Sequence, residues 1–416
     1  MLSRVLFLLK RRQSELGFLG LIRFILQRVF SVNNGRKIAT LRALSAPSID
    51  IQKVYDFVRS EPVGQYLAEA DLQELIERRV NWVIPAFGIG SGGHINIFRF
   101  IGGLERSGYK CHITIIGDHD FSSAEEARKS INKNFEPLNS AVSLGLDDIK
   151  PAWITVATSW QTAYAVKSIR PTKHKAYFIQ DFEPQFYAHG SEYFFAEETY
   201  KFGFKGITAG DWLSNKLASE YGMECNSVGF SYDKERYLPT AKRDASVKRV
   251  FFYSRPPTPR RAFELGVLVL SEVFKRNPNV EFVLAGWDDL NYKLPFPHSN
   301  AGLLSLDDLP DVYSQLDAAL VISSTNLSLL PLELMACNCA VISNSGPNVE
   351  WLLKDGENAS VVNADVDSLA SAINKVLDDD KYRCQLIEKA AQFAHETSWL
   401  DEIERFVKII ETFDER

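Results

Sequence analysis

Short apolar runs of strand length alternate along this chain with segments whose apolar positions recur every three or four residues. Val80-Asn81-Trp82-Val83-Ile84-Pro85 is the first such run, and the glycine loop Gly88-Ile89-Gly90-Ser91-Gly92-Gly93 follows it. An apolar-faced helix is predicted over residues 94–106, stopped by Ser107-Gly108, before the strand Cys111-His112-Ile113-Thr114-Ile115-Ile116. Strand, loop, helix and strand in this order mark parallel βαβ units. Trp153-Ile154-Thr155-Val156-Ala157, Lys175-Ala176-Tyr177-Phe178-Ile179 and Gly206-Ile207-Thr208-Ala209 predict further strands of the same sheet.

A second series opens at Arg249-Val250-Phe251-Phe252-Tyr253, with a helix over residues 262–275 and a strand at Val280-Glu281-Phe282-Val283-Leu284-Ala285. Ala318-Ala319-Leu320-Val321-Ile322 and Ala340-Val341-Ile342-Ser343 are its next strands, with helices over residues 329–337 and 366–377. The polar, turn-rich residues 231–248 separate the two series. The predicted class is α/β, two Rossmann-like domains facing across a cleft. It divides into a basic amphipathic segment over residues 1–45, domains over 46–235 and 236–398, and a helical end over 399–416. Ligands of such sheets bind outside the carboxyl ends of the strands, so the cleft is the expected active site.

Length agrees: 416 residues exceed one ordinary core at about 150 residues per domain. The net charge of -6 argues against a dedicated nucleic-acid binder, which usually carries a basic field. Cys111, Cys225, Cys337, Cys339 and Cys384 form neither a C-x-x-C pair nor a zinc spacing, which points to free thiols in a reducing compartment. The histidines show no metal-binding pattern either, and no metal site is expected.

Charge is concentrated at one end. Arg4, Lys10, Arg11, Arg12, Arg23, Arg28, Arg36 and Lys37 face a single acid, Glu15, and the apolar runs between them fall short of the ~20 residues of a spanning helix. Such a segment suits a lipid headgroup region, where each cation gains about 1 kcal/mol near anionic lipid. Packing on the protein's own body is the alternative. The expectation is a cytoplasmic protein in peripheral contact with the inner face of the plasma membrane through residues 1–45.

Three clusters carry candidate chemistry. In the Gly88–Gly93 loop, Gly90, Ser91, Gly92 and Gly93 offer backbone N–H groups ahead of a helix, a place for an anion or a hydroxyl; a tight turn that needs glycine sterically is the competing explanation. Tyr253-Ser254-Arg255-Pro256-Pro257-Thr258-Pro259-Arg260-Arg261 lies between strand and helix. Its prolines stiffen the loop, and guanidinium forks suit phosphate oxygens, so Arg255 and Arg260 can neutralise a diphosphate leaving group without a metal. In the third cluster, residues 323–336, Pro331 fits a first helical turn; the amides of Ser328, Leu329 and Leu330 are then free for phosphate, and Glu333 can accept both hydroxyls of a ribose.

The glycine loop, Arg255 and Arg260, and the Leu-Glu-Leu-Met-Ala-Cys stretch running into Ala340-Val341-Ile342-Ser343-Asn344-Ser345-Gly346 resemble the GT-B glycosyltransferases of the large retaining family four. Phe178-Ile179-Gln180-Asp181-Phe182-Glu183-Pro184-Gln185-Phe186-Tyr187 and Gly346-Pro347-Asn348-Val349-Glu350-Trp351-Leu352-Leu353 are similar to bacterial rhamnosyltransferases of the WsaF type. The resemblance implies an acceptor domain followed by a nucleotide-sugar donor domain, and a final helix that crosses back to the first. It implies that Arg255 and Arg260 bind diphosphate and that Glu333 is the second acid of an E-x7-E motif, holding the ribose. Thr325 stands where the first acid belongs, which puts the usual hexose donors in doubt. Gln180, Asp181 and Glu183 are expected to face donor sugar or acceptor. Asp181 is the preferred contact to the acceptor hydroxyl, with a carboxylate capping the turn at Pro184 as the structural alternative. Asp118-His119-Asp120 has the form of a GT-A metal motif, but a solvated turn explains it more simply.

The implied function is transfer of a sugar, L-rhamnose from dTDP-β-L-rhamnose, to a glycan or lipid-linked oligosaccharide with retention. No cofactor beyond the nucleotide sugar is implied. A nucleotide-sugar epimerase of the same fold and a catalytically silent glycan-binding subunit stay open at this point.

Overall fold

The computed structural model describes residues 50–59, 61–67, 78–241, 244, 246–287 and 292–415. The basic segment over residues 1–45 and its membrane contact lie outside the described residues. Chain contacts group residues 57–416 as one unit, preceded by another that ends at Asp56. In the latter, Asp50 accepts the Lys53 amide and caps a single-turn helix, Ile51–Val54. Everything below concerns the larger unit.

Seven strands build its first sheet: β1 (Arg79–Pro85), β2 (Lys110–Ile116), β3 (Ala141–Leu144), β4 (Ala152–Ala157), β5 (Thr172–Ile179), β6 (Lys205–Ala209) and β7 (Cys225–Val228). Six build the second: β8 (Arg249–Tyr253), β9 (Glu281–Ala285), β10 (His298–Asn300), β11 (Ala318–Val321), β12 (Ala340–Asn344) and β13 (Ser360–Val362). The spatial orders are β3-β2-β1-β4-β5-β6-β7 and β10-β9-β8-β11-β12-β13, with parallel pairing throughout. Strand order therefore reverses twice, between β1 and β4 and between β8 and β11. At such a reversal the flanking loops diverge and leave a crevice.

The helices that matter below are α1 (Gly92–Arg106), α2 (Trp160–Ser168), α3 (Asp211–Tyr221), α4 (Phe263–Arg276), α5 (Leu330–Ala336), α6 (Val366–Asp378), α7 (Asp380–Glu396) and α8 (Trp399–Glu411). Each sheet separates two apolar clusters, because successive side chains of a strand point to opposite faces. Val80, Trp82 and Ile84 of β1 enter one cluster and Val83 the other; in β8, Phe251 and its neighbours Val250 and Phe252 divide in the same way. Strands covered on both faces read as unbroken apolar runs, and these are the strands the sequence predicts. The four it does not predict, β3, β7, β10 and β13, are the four sheet edges.

The last helix does not stay with the second sheet. Ile403, Phe406, Ile409 and Ile410 of α8 are buried in the core of the first, where Phe406 stacks on Trp82 with ring centroids 5.8 Å apart and meets Phe100 at 5.1 Å. Burying such side chains stabilises by roughly 1.5–3 kcal/mol each. Gly103 of α1 makes the approach feasible, since a Cβ there would lie 2.6 Å from Ile403.

Candidate functional site

The loop after β8 leaves the second sheet at its strand-order reversal. Pro259 opens a single 3-10 turn, Pro259–Arg261, ahead of α4, and the loop holds three guanidinium groups close together. Arg255 donates from Nη1 to the Tyr253 hydroxyl at 3.3 Å. Arg260 lies 4.1 Å from the Phe186 ring centroid, with its Nε 3.5 Å from Asp181 Oδ2. Arg261 donates from Nη1 to Ser323 Oγ at 3.0 Å, at the end of β11. Burial lowers the Arg261 pKa, opposed by the nearby Asp181 carboxylate and reinforced by the like charges of Arg260 and Arg255. The buried Nε atoms of Arg255 and Arg260 make no hydrogen bond. Clustered cations of this kind can hold a polyanion, with the Arg255 Nε unbonded and the Arg260 Nε facing Asp181. Sequence alone singles out Arg255 and Arg260 in this loop. It leaves Arg261 unassigned, although the strand-to-helix position applies to it equally.

The loop after β11 meets the first lobe directly. Asp181, just beyond β5, accepts the Asn326 amide at 2.8 Å, the Thr325 hydroxyl at 3.1 Å and the amide of Phe182 at 2.9 Å. Burial raises its pKa, against the pull of the Asn326 amide, Arg260 and Arg261. Asn326 binds in the other direction as well: its side-chain nitrogen donates to the carbonyls of Gln180 at 2.9 Å and Ala209 at 2.8 Å, and its oxygen accepts the Trp351 indole at 2.8 Å. Gly210 completes the seam. A Cβ at this position would fall 2.6 Å from the Trp351 ring, and its φ of 84° is one that side-chain-bearing residues rarely adopt. Asp181 thus stands between the lobes with both oxygens engaged by protein donors.

Glu333 lies in the first turn of α5, where the amides of Ser328, Leu329 and Leu330 also gather and intrahelical partners are missing by geometry. Burial pushes the Glu333 carboxyl up to about 7, while the Tyr237 hydroxyl, Arg99 and Arg236 pull it down. Arg99 reaches this neighbourhood from α1 of the first lobe. Its guanidinium sits 4.4 Å over the Trp399 ring, and its buried Nη1 makes no hydrogen bond. Neither Arg99 nor Tyr237 is singled out by the sequence; tertiary placement brings both to Glu333.

On the first lobe, Ser91 turns its hydroxyl to His94 Nδ1 at 2.8 Å instead of capping α1, and His94 Nε2 contacts the Pro85 carbonyl at 3.2 Å. Burial lowers the His94 pKa to about 4, so the imidazole is neutral at pH 7. Gly88, Gly90 and Gly92 border open space, where their backbone is approachable, and the Gly93 carbonyl accepts Gln180 Nε2 at 3.0 Å. Gln180 also accepts from Asn96 at 3.0 Å, so it braces the start of α1. Glu183 is a correction. Expected to face the sugar, it turns inward, where its Oε2 accepts the Trp160 amide at 2.5 Å and the Tyr177 hydroxyl at 3.1 Å. Burial raises its pKa to about 8, against the pull of those two donors. Asp118 and Asp120 are exposed in the turn after β2, and no group of three or more metal-ligating side chains occurs among the described residues. No described helix is long and apolar enough to cross a membrane.

Two family models match the chain: the WsaF N-terminal domain over residues 116–209 and the WsaF C-terminal domain over residues 248–374. Together they cover more than half of it. The O-antigen biosynthesis protein RfbC of Myxococcus xanthus is 30% identical over 342 residues, which is 79% of this chain and 26% of that protein. The chain therefore spans about a quarter of that relative's length. Among solved structures, sucrose-phosphate synthase from Thermosynechococcus elongatus superposes with a TM-score of 0.64 at 12% identity, covering 80% of this chain and 98% of that one. HepE from Anabaena, in complex with UDP-glucose, superposes at 0.63 with 14% identity, covering 80% of this chain and 100% of that one. At these identities the likeness is one of fold: two facing Rossmann-like sheets, the GT-B architecture expected from the sequence.

Proposed function

The chain belongs to the WsaF family, and from that premise we propose that it is a glycosyltransferase that moves a deoxyhexose, L-rhamnose, from a nucleoside diphosphate to a cell-surface glycan with retention of configuration. The observation that carries this reading is the convergence of Arg255, Arg260 and Arg261 at the reversal between β8 and β11, with buried donors unspent. In the reaction the bond between the sugar's anomeric carbon and the diphosphate breaks, and its electron pair leaves with the diphosphate. Fixed guanidinium groups stabilise that growing charge where it forms. The acceptor oxygen attacks on the face the diphosphate leaves, and its proton passes to a departing phosphate oxygen. Glu333 holds the nucleotide's pentose, by the 3′-hydroxyl in dTDP, and the amides leading into α5 meet the phosphates.

Asp181 lies between the lobes beside the Arg260 guanidinium, and it would take an acceptor hydroxyl only in exchange for one of the protein donors that it holds. Thr325 at the E-x7-E position, with its hydroxyl committed to Asp181, supports a donor poorer in hydroxyls than the usual hexoses. A lipid-linked acceptor accords with the expected membrane contact of residues 1–45.

Calorimetry with dTDP and UDP is the first test, because a silent glycan-binding subunit binds neither. Incubation with dTDP-rhamnose and a lipid-linked oligosaccharide then separates transfer from epimerisation. A rhamnosylated product whose anomeric configuration matches the donor supports the proposal; nucleotide binding with no transfer to any glycan discards it.

A further inference from the structure

Both substrate-facing loop sets follow the carboxyl ends of strands. At the opposite edge of the first sheet, where β5 and β6 begin, lies a cavity of about 420 Å3. Lys167, Lys173, His174, Lys175 and Lys205 line it along with Phe202, and no acid does. Acids at its margin pair with three of these side chains. Lys173 Nζ and His174 Nε2 share Asp414 Oδ1, each at 2.6 Å, and Lys205 lies 3.9 Å from Glu224 and 4.6 Å over the Phe413 ring.

The remaining two cations have no carboxylate among the described residues. Lys167 rests its ammonium 3.9 Å over the Phe202 ring, and Lys175 donates to the Lys167 carbonyl oxygen at 2.6 Å. Burial and the neighbouring Lys167 charge lower the Lys175 pKa. The two ammonium groups line one pocket and the Lys167 charge opposes that of Lys175, so an anion between them offsets the repulsion. A halide would leave most of the cavity empty. A phosphate group matches ammonium point charges with several acceptor oxygens, and the rest of the volume takes the polar group it is attached to.

We infer that this cavity is a second ligand site, remote from the sugar-transfer cleft, which binds a phosphate-type oxyanion presented free in solution or on a lipid headgroup. The test uses the full chain and the K167Q/K175Q double variant, with K167R/K175R as the charge-keeping control. Calorimetry with inorganic pyrophosphate, in the presence of dTDP to occupy the arginine pocket, reads the free anion. Co-sedimentation with phosphatidylcholine vesicles, with and without phosphatidylglycerol, reads the headgroup.

The wild type and the arginine control should bind at least one probe, and the glutamine variant should lose that binding at least tenfold. Loss confined to anionic vesicles identifies the headgroup as the source; loss confined to pyrophosphate identifies a soluble phosphate. Should the wild type bind neither probe, or the glutamine variant bind both as tightly as the wild type, the site does not exist. Affinity for dTDP, measured on the same variants, should stay unchanged. A failure here is thereby distinct from a failure of the glycosyltransferase reading.

Discussion

Asp181 of the first lobe accepts the backbone amide of Asn326 of the second at 2.8 Å. Around that bond the two halves are tied at several points, with the Thr325 hydroxyl and Arg260 on the same carboxylate and the Asn326 side chain on two first-lobe carbonyls. Removing the carboxylate strands a buried amide, which costs about 1–3 kcal/mol. Asp181→Ala should lower the free energy of unfolding by about 2 kcal/mol, and Asp181→Asn, which keeps one acceptor oxygen, by less. Chemical denaturation of the three proteins decides the matter; equal midpoints and slopes would show that the seam holds without it.

The arginine loop predicts a graded response to nucleotide. Charged hydrogen bonds are worth about 1.5–3 kcal/mol, so Arg255→Ala and Arg261→Ala should each weaken dTDP binding by roughly ten- to a hundredfold. Arg261 already donates to Ser323, and Arg261→Lys should recover only part of the loss, because the ammonium lacks the planar fork. Titration calorimetry at fixed ionic strength measures all three. Wild-type affinity in Arg261→Ala would remove it from the pocket.

Nucleotide affinity should also depend on pH through Glu333. Its carboxyl loses a proton near 7, and the ionised form is the stronger acceptor for the 3′-hydroxyl, the one free hydroxyl of the dTDP deoxyribose. Affinity for dTDP should therefore rise as pH increases through that value, and Glu333→Gln should flatten the profile at the lower affinity. A profile identical in both proteins would sever Glu333 from the ribose.

Glu183 makes the opposite kind of prediction, one about stability. In the unfolded chain its proton leaves near the ordinary 4.5, whereas the folded protein keeps it until about 8. The folded state binds more protons across that window, so stability falls as pH rises from the lower value to the higher. Glu183→Gln preserves the shape and removes the titration. Its melting temperature should decline less than the wild type's between those two values, as differential scanning calorimetry will read.

Gly210→Ala places a methyl carbon against the Trp351 ring at a backbone conformation disfavoured for alanine. Strain of this kind costs about 1–3 kcal/mol. The thermal midpoint should drop, while Gly222→Ala, at a left-handed helix end with open space around it, should cost less. Equal losses at the two positions would mean that the tryptophan yields freely.

The interior strands were legible because each is covered on both faces and so has to be apolar at nearly every position: Ala152–Ala157 is buried from end to end. The edge strands Ala141–Leu144, Cys225–Val228, His298–Asn300 and Ser360–Val362 are three or four residues long and have a neighbour on one side only, which leaves no apolar run to read. The same division governs the site. Arg255 and Glu333 are recognisable from their place in a strand-to-helix loop and a first helical turn. Arg99 lies within an amphipathic helix of the first lobe and Tyr237 in a connecting segment that stacks on Tyr313 of the second, so lobe contact brings the one and local packing the other to Glu333. Glu183 misled because a residue two positions past Asp181 was assumed to share its outlook, whereas the 3-10 turn Glu183–Phe186 rotates it inward.

Because α8 supplies Ile403, Phe406 and Ile410 to the core around Trp82, the half of the molecule synthesised first is the half completed last. A ribosome that has finished β7 has released every strand of that sheet but not the aromatic ring that stacks on its central tryptophan. Truncation just before Trp399 would leave the early half with an open apolar trough, and nascent chains stalled there should be the ones that chaperones hold.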